Sequence, residues 1–191
     1  MDAVQMTQDK GTPNSAIQNN GQNEMDPEWL ERACFGAHLP EQVELHLRLA
    51  SLNYQHTAIA ESHLFQAQAL APGHAAVLIA LYRFYFYKGR LADALEVARR
   101  CLVKAARDNR LQEDWHRVQR SDADFGSYDA ILPRFYLFTL KAYGYLQMRL
   151  GGLEESAEAL KKMLELDPSD KLNATVLLQV LARHGREDDD E

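Results

Sequence analysis

A period of 34 residues is the sequence feature that most restricts how this chain can fold. Residues 41–74 and residues 75–108 are consecutive segments of this length, and similar residues recur at matching positions in both. Ala60 in the first segment corresponds to Ala94 in the second, and Leu47 corresponds to Leu81. A fixed period in this range indicates that one supersecondary unit is repeated and that neighbouring units stack to bury a shared core.

A third unit of the same length spans residues 137–170 and reads LFTLKAYGYLQMRLGGLEESAEALKKMLELDPSD. Helical periodicity dominates, and no Asn-Gly or Asp-Gly hairpin signal occurs in the chain. The stretch Leu150-Gly151-Gly152-Leu153 interrupts the third unit as a turn, and Pro168 closes it. The sequence therefore predicts two helices in each unit, joined by a tight turn.

This pattern resembles the tetratricopeptide repeat (TPR), a helix–turn–helix unit of the same length. In the third unit Leu140, Tyr143 and Gly144 occupy the family's Trp, Leu and Gly places, and Ser156 stands where the two helices cross. The second unit supplies the family's small and apolar positions with Leu78, Leu81, Tyr85, Gly89, Ala94 and Ala98. The first unit keeps Leu47, Ala60, Leu64 and Pro72 but is degenerate, since Glu44 and Ser51 replace apolar and aromatic residues.

The resemblance implies an all-α fold, a helical-repeat (TPR) superhelix of three repeats within a domain over residues 25–184. An N-terminal helix is expected from Asp26-Pro27-Glu28, a sequence typical of a helix start. Residues 109–136 form an insertion between the second and third repeats, whose first half either extends the preceding helix or forms a short one. Residues 171–184 are expected to form a C-terminal capping helix, with apolar residues at helical spacing: Leu172, Val176, Leu177, Val180 and Leu181.

The two ends of the chain are expected to lie outside the folded domain. Residues 1–24 are polar and hold few apolar side chains, so they predict a disordered N-terminal tail. Residues 185–191 predict a solvated acidic tail. The N-terminus lacks a basic segment followed by an apolar one, which favours a cytoplasmic protein.

Charge and hydropathy exclude two classes of partner. A net charge of −7 argues against general nucleic-acid binding, which needs a basic surface. No apolar run approaches the roughly 18 residues that span a bilayer, so no membrane segment is predicted.

Motifs of catalysis and of cofactor binding do not occur. The chain has no nucleophile elbow and no glycine-rich phosphate loop, so we expect neither an enzyme nor a cofactor. Seven histidines are present, but none shows a four-residue spacing that would place two ligands on one helix face, and no metal site is predicted. His56 and His63 could share a face near Glu61, without an evident third ligand. One hypothesis is a metal- or redox-active protein that uses Cys34, Cys101 and histidines. The wide spacing of these residues along the chain argues against it.

A binding groove follows from the resemblance, because the first helix of each TPR unit lines the concave side of the superhelix. Alignment places apolar, aromatic and cationic side chains there, as the predicted partner-binding groove: Arg83, Phe86, Tyr87, Phe138, Lys141, Tyr145, Met148 and Arg149. Leu81 and Tyr85 are expected to face the repeat core instead. Two interpretations stay open, an open groove that takes a partner with acidic and apolar residues, and a groove filled by the capping helix or the insertion.

The insertion also has two interpretations. It either folds over its own repeat or contacts a partner, since long insertions in compact repeat arrays are uncommon without a use. The candidate contact residues are Trp115, Arg117, Arg120, Phe125 and Tyr128.

A non-enzymatic adaptor or assembly factor that binds another protein agrees best with these features. The run LPRFYLFTLKAYGYLQMRLGGLEESAEALKKMLELDPSDK, continuing to VLLQVLARHGREDDD, resembles TPR proteins encoded beside nitrogen-fixation genes. That resemblance implies a nitrogenase component or maturation protein as the partner. The alternative is a chaperone of the type III secretion kind, which holds an extended substrate in the concave groove; the insertion fits this alternative poorly.

Overall fold

The computed structural model describes residues 39–187, and over this range the chain is all-helical, with no β-strand. Seven α-helices follow one another: α1 (Glu41–Leu52), α2 (Thr57–Leu70), α3 (Ala75–Tyr87), α4 (Leu91–Asp108), α5 (Ile131–Arg149), α6 (Leu153–Leu166) and α7 (Ala174–Glu187). The predicted all-α fold is confirmed, and the arrangement of helix pairs is that of a helical-repeat fold. The predicted N-terminal tail, the helix start at Asp26, Cys34 and most of the acidic tail lie outside the described residues.

Glycine ends the first helix of the second and third units at equivalent positions. Gly89 has a φ of 72°, and the backbone N–H of Arg90 donates to the carbonyl of Tyr85 at 2.9 Å. Gly151 has a φ of 85°, and the N–H of Gly152 donates to the carbonyl of Gln147 at 2.8 Å. Both ends are Schellman motifs, in which a glycine in the left-handed conformation lets the chain reverse into the second helix of the pair.

The core consists of the facing sides of these pairs. Leu78 and Leu81 of α3 and Leu140 of α5 are at most 2% exposed, as the repeat register predicts, and Tyr85 is buried at 6% exposure. Ser156 is fully buried on α6, where the predicted crossing needs a small residue. Burial of this apolar surface stabilises the array, because a single helix pair cannot cover its own apolar face.

Close approach of α5 and α6 depends on Gly144. A Cβ atom at this position would lie 3.3 Å from Cβ of Ala159 and 3.4 Å from Cγ of Leu160. The absence of a side chain therefore sets how closely these two helices pack.

The junction between the first and second helix pairs differs from the others. Helices α2 and α3 pack on each other less extensively than α4 does on α5. Polar and ring contacts supplement this packing: Glu61 of α2 accepts hydrogen bonds from Arg90 at 2.7 Å and from the Tyr85 hydroxyl at 3.2 Å. The rings of Tyr54 and Phe84 meet edge to face, with centroids 6.2 Å apart.

The insertion neither extends α4 nor forms a further α-helix of its own. Helix α4 ends at Asp108, and two short 3-10 helices follow, Trp115–Arg117 and Arg120–Asp122. Helix α5 begins at Ile131, within the predicted insertion, so the third unit has a longer first helix than its 34-residue register predicts.

The terminal helix α7 packs mainly on α6. The Asp170 carboxylate starts it by accepting from the backbone N–H of Ala174 at 2.6 Å. Leu181 is buried as predicted, but Val176 is 54% exposed, so its predicted place on the packing face is wrong. The neighbouring Leu178 packs against the core in that role. Among the described helices, none combines the length and the apolar character that crossing a bilayer requires.

Candidate functional site

Aromatic side chains of α3 and α5 meet on one face of the array. The Phe86 ring lies 6.0 Å from the Tyr145 ring between centroids, and it stacks on Tyr82 at 5.8 Å. Phe86 also meets Tyr87 edge to face at 5.4 Å, and Tyr87 is 61% exposed. Phe86 thus connects rings from two repeat units into one surface. We call this surface the aromatic face; it also includes Phe138, and Arg83 and Arg149 lie at its border.

Two arginines border this aromatic face. Arg83 of α3 and Arg149 of α5 are both exposed. Arg149 donates a hydrogen bond to the Tyr145 hydroxyl at 2.9 Å, and its guanidinium lies 5.8 Å from the centre of that ring. The bond orients Arg149 across Tyr145, so cationic and aromatic groups are presented side by side.

Two predicted groove residues lie deeper than expected. Lys141 and Met148 are each only 9% exposed. Their predicted place on an accessible groove surface is wrong, because both side chains are almost fully buried. The remaining predicted groove residues, Arg83, Phe86, Tyr87, Phe138, Tyr145 and Arg149, are half-buried or exposed.

Beneath the aromatic face lies a narrow apolar crevice that the repeat alignment did not predict. Its walls come from α3, α4 and α5 and include Ile79, Tyr82, Cys101, Phe135 and Phe138. Burial raises the pKa of Tyr82, and the nearby Cys101 and Tyr145 add to the rise. Tyr82 therefore stays neutral and serves as a wall of the crevice. The burial of Cys101, at 5% exposure, agrees with the predicted core position.

The insertion is anchored by two of its predicted contact residues. Trp115 is 7% exposed and lies 6.2 Å from the Tyr143 ring; Phe125 is 3% exposed and lies 5.9 Å from the Tyr136 ring. The prediction that Trp115 and Phe125 contact a partner is therefore corrected, because both side chains are buried against α5 of their own domain.

The other three predicted contact residues of the insertion, Arg117, Arg120 and Tyr128, are exposed. The Tyr128 ring lies 5.1 Å from the Lys171 ammonium and 5.6 Å from the Arg134 guanidinium. Cation–π contacts of this kind hold Tyr128 close to the start of α5 and α7 while most of the ring faces solvent.

The two buried ring contacts between the insertion and α5 lie on the side of that helix opposite to Phe138 and Tyr145. Tyr136 and Tyr143, which meet the insertion, are seven residues apart and so share one helix stripe. Phe138 and Tyr145 form a second stripe, displaced by two residues, which is about 200° around the helix. These two ring contacts are therefore directed away from the aromatic face.

Histidine pairing in the first helix pair also differs from the prediction. His63 lies with its Nδ1 atom 3.1 Å from Nδ1 of His46, with ring centroids 5.4 Å apart. The partner of His63 is thus on α1, and a shared face of His56 and His63 stays a prediction. The hydrogen bond joins α1 to α2 and needs at least one neutral ring.

A second cluster of polar groups was missed by the sequence reasoning. His116 of the insertion lies beside Glu155 and Glu158 of α6. About forty residues separate His116 from the two carboxylates, and the irregular insertion carries no period from which this contact could be predicted.

The fold and the aromatic face together define a class, an all-α protein of stacked helix pairs with an accessible aromatic and arginine surface. No family model matches the chain, so the TPR assignment stays a prediction that rests on its residues. The chain is 42% identical over 129 residues to an uncharacterized 19.8 kDa protein in the nifW 5′ region of Azotobacter chroococcum mcd 1. The match covers 67% of this chain and 72% of the relative, and the chain belongs to the same family as that protein.

Proposed function

We propose that the protein is a non-enzymatic adaptor, or an assembly or protective factor, that binds a nitrogenase component or a maturation protein. The relative from the nifW 5′ region supports a nitrogen-fixation role for the family. The same relative offers no support for the alternative of a secretion chaperone.

The observation that carries the proposal is the contact between Phe86 and Tyr145, which joins two repeat units into one accessible aromatic surface. Aromatic and arginine side chains are the types that contribute most to protein–protein binding. Water is excluded from such rings when a partner covers them, and arginine beside them pairs with acidic groups at the border. The matching partner surface carries apolar residues bordered by carboxylates.

Positive charge on this face stands out against the whole chain. The formal net charge is −7, yet Arg83 and Arg149 border the aromatic face. These two arginines attract an acidic partner to this face, and the association rate should fall with ionic strength.

Binding to a purified partner tests the proposal. The tagged full-length chain is recovered from nitrogen-fixing cells, the co-purifying protein is identified by mass spectrometry, and its affinity for the purified chain is then measured by calorimetry. We expect a nitrogenase component or a maturation protein, and at least a tenfold loss of affinity in the Arg83→Glu/Arg149→Glu variant. Two such reversals at a binding surface remove attraction and add repulsion.

The matched control is Lys161→Glu/Arg183→Glu, which makes the same change in net charge at exposed positions of α6 and α7. Unchanged affinity in the control together with lost affinity in the first variant supports the aromatic face. Equal affinity of both variants for the partner would show that this face is not used. Recovery of a secretion translocator instead would overturn the nitrogen-fixation role.

A further inference from the structure

Three metal-ligand side chains converge where the insertion meets α6. His116 comes from the first 3-10 helix of the insertion, and Glu155 and Glu158 lie three residues apart near the start of α6. One ligand atom from each of the three side chains lies within 4.8 Å of the other two. The side chains of His116 and Glu158 are 48% and 57% exposed, so ions from solution reach this cluster.

The His116 ring is held in one orientation. Its Nδ1 atom lies 2.9 Å from Oδ1 of Asp114, and its backbone N–H donates to the same oxygen at 3.1 Å. The ring also stacks on the buried Trp115, with centroids 3.6 Å apart. The Asp114 carboxylate thus fixes the direction of the Nδ1 side of the ring. The Nε2 atom then faces Glu158.

Metal-binding histidines are commonly oriented by a contact of this kind. One ring nitrogen donates to a carboxylate, which fixes the tautomer and raises the basicity of the other nitrogen. The acidic side of the cluster is held as well, since Glu155 accepts a hydrogen bond from the Tyr143 hydroxyl at 2.5 Å. That hydroxyl in turn accepts from Gln147 at 2.8 Å. One oxygen of the Glu155 carboxylate is thereby oriented, and its second oxygen remains for another ligand.

The separation between His116 and Glu158 matches two ligands of a small divalent ion. Nε2 of His116 lies 3.4 Å from Oε2 of Glu158. A charged hydrogen bond between such groups is shorter, about 2.7–2.9 Å. Two ligands of a tetrahedral ion at about 2.0–2.2 Å are separated by roughly 3.3–3.6 Å.

Electrostatics favours a cation at the same place. With Nδ1 of His116 turned to Asp114, Nε2 lies on the side of Glu158, and Glu155 belongs to the same cluster. Two carboxylates close together repel each other, and a bound cation would relieve this repulsion. Imidazole with two carboxylates suits Zn²⁺ and related first-row ions, whereas Mg²⁺ and Ca²⁺ prefer oxygen ligands alone.

We infer that His116, Glu155 and Glu158 form a binding site for a divalent first-row transition ion of the Zn²⁺ type, which ties the insertion to α6. Three protein ligands leave a fourth position for water or for a ligand from another molecule. The inference is independent of the proposed partner binding, since it concerns the opposite side of α5.

Calorimetric titration of the full chain tests the site. After dialysis against a chelator, Zn²⁺ is titrated into the wild-type protein, His116→Ala, Glu158→Gln and the control variants Glu154→Gln and His56→Ala. Glu154 is an exposed neighbour on the same helix, and His56 is an exposed histidine of the first helix pair. Circular dichroism establishes that each variant is folded.

We expect one Zn²⁺ to bind per chain, with at least tenfold weaker binding in His116→Ala and in Glu158→Gln and unchanged binding in both controls. Mg²⁺ should not compete at equal concentration. A second readout uses Trp115, whose fluorescence in a Trp29→Phe background should be quenched by one equivalent of Co²⁺, since the ion would lie beside the His116 ring. Absence of one-site binding, or equal affinity in wild type and His116→Ala, would overturn the inference.

Discussion

Replacing Gly144 by alanine tests how closely α5 and α6 approach each other. In an open helix this change would stabilise the fold by about 1 kcal/mol, because alanine has the higher helix propensity. Here the added methyl would lie 3.3 Å from Cβ of Ala159 and 3.4 Å from Cγ of Leu160. The substitution therefore sets a gain in propensity against compression of a buried contact.

The compression outweighs the gain. Both neighbours, Ala159 and Leu160, are fully buried, so neither can move toward solvent. Forcing extra carbon into a packed interior costs about 1–3 kcal/mol. After subtraction of the propensity gain, we expect Gly144→Ala to lower the free energy of unfolding by about 1 kcal/mol.

Urea denaturation followed by circular dichroism measures the effect, and a double-mutant cycle isolates its cause. Ala159→Gly removes one of the two methyl groups in conflict, so it should be less harmful in the Gly144→Ala background than in the wild type. We expect a coupling energy of about 1 kcal/mol in favour of the double variant.

The control is Gly73→Ala, where nothing lies within 4 Å of an added Cβ and the φ angle is not positive. This substitution should change stability by less than about 1 kcal/mol. A stabilised Gly144→Ala variant with no coupling to Ala159 would refute the close approach of the two helices.

Three further predictions concern charge and the insertion. Burial and the charge of Glu61 raise the pKa of Tyr85 to about 12. The resulting stability is present below the ordinary tyrosine pKa of about 10 and is lost as the pH rises toward 12, so the urea midpoint should fall more steeply over this range in the wild type than in Tyr85→Phe. Burial opposes ionisation of Asp167, but hydrogen bonds from Ser169 and from a backbone N–H outweigh it and hold the pKa low. This contribution to stability is present above about pH 4 and is lost as the pH falls below it. The urea midpoint should therefore fall less steeply at acidic pH in Asp167→Asn than in the wild type. Trp115→Ala should make the insertion sensitive to limited proteolysis. It should also lower the free energy of unfolding by about 3 kcal/mol, as other large-to-small core substitutions do.

Each of these predictions has an outcome that contradicts it. Parallel alkaline slopes for wild type and Tyr85→Phe would exclude the raised pKa as the cause. If the urea midpoint of Asp167→Asn falls at acidic pH as it does in the wild type, the Asp167 carboxylate is not the cause of that fall. For the insertion, Tyr128→Ala serves as the control because this ring is 63% exposed. Equal protease sensitivity of the Trp115 and Tyr128 variants would mean that Trp115 does not anchor the segment.

The repeat register predicted most of the interior, because one period fixes which side of every helix faces its neighbour. Leu81 and Tyr85 are buried as that register requires, and Gly89 ends α3 where the turn was expected. Lys141 shows where the register fails. Its direction on α5 follows from the alignment, but its burial at 9% exposure does not. Distances between helices are set by side-chain volumes, which a period does not contain.

The insertion has no period, and so its contacts were beyond sequence reasoning. Trp115 and Phe125 are large apolar side chains, and from sequence they fit a partner surface and an internal anchor equally well. The approach of His116 to Glu155 depends on the path of an irregular segment between two helices. Only the folded chain brings these residues together.

Because packing between α2 and α3 is limited, we expect the first helix pair to open locally at a lower free energy than the rest of the array. Glu61 joins it to the second pair through side-chain hydrogen bonds, which water can replace at low cost compared with buried apolar surface. Amide protons of α1 and α2 should therefore exchange with solvent through local opening, while those of α3 to α6 exchange only when the whole domain unfolds. The array would then unfold as two cooperative units with a boundary at residue 72. A ligand that spans this boundary would slow amide-proton exchange on both sides of it.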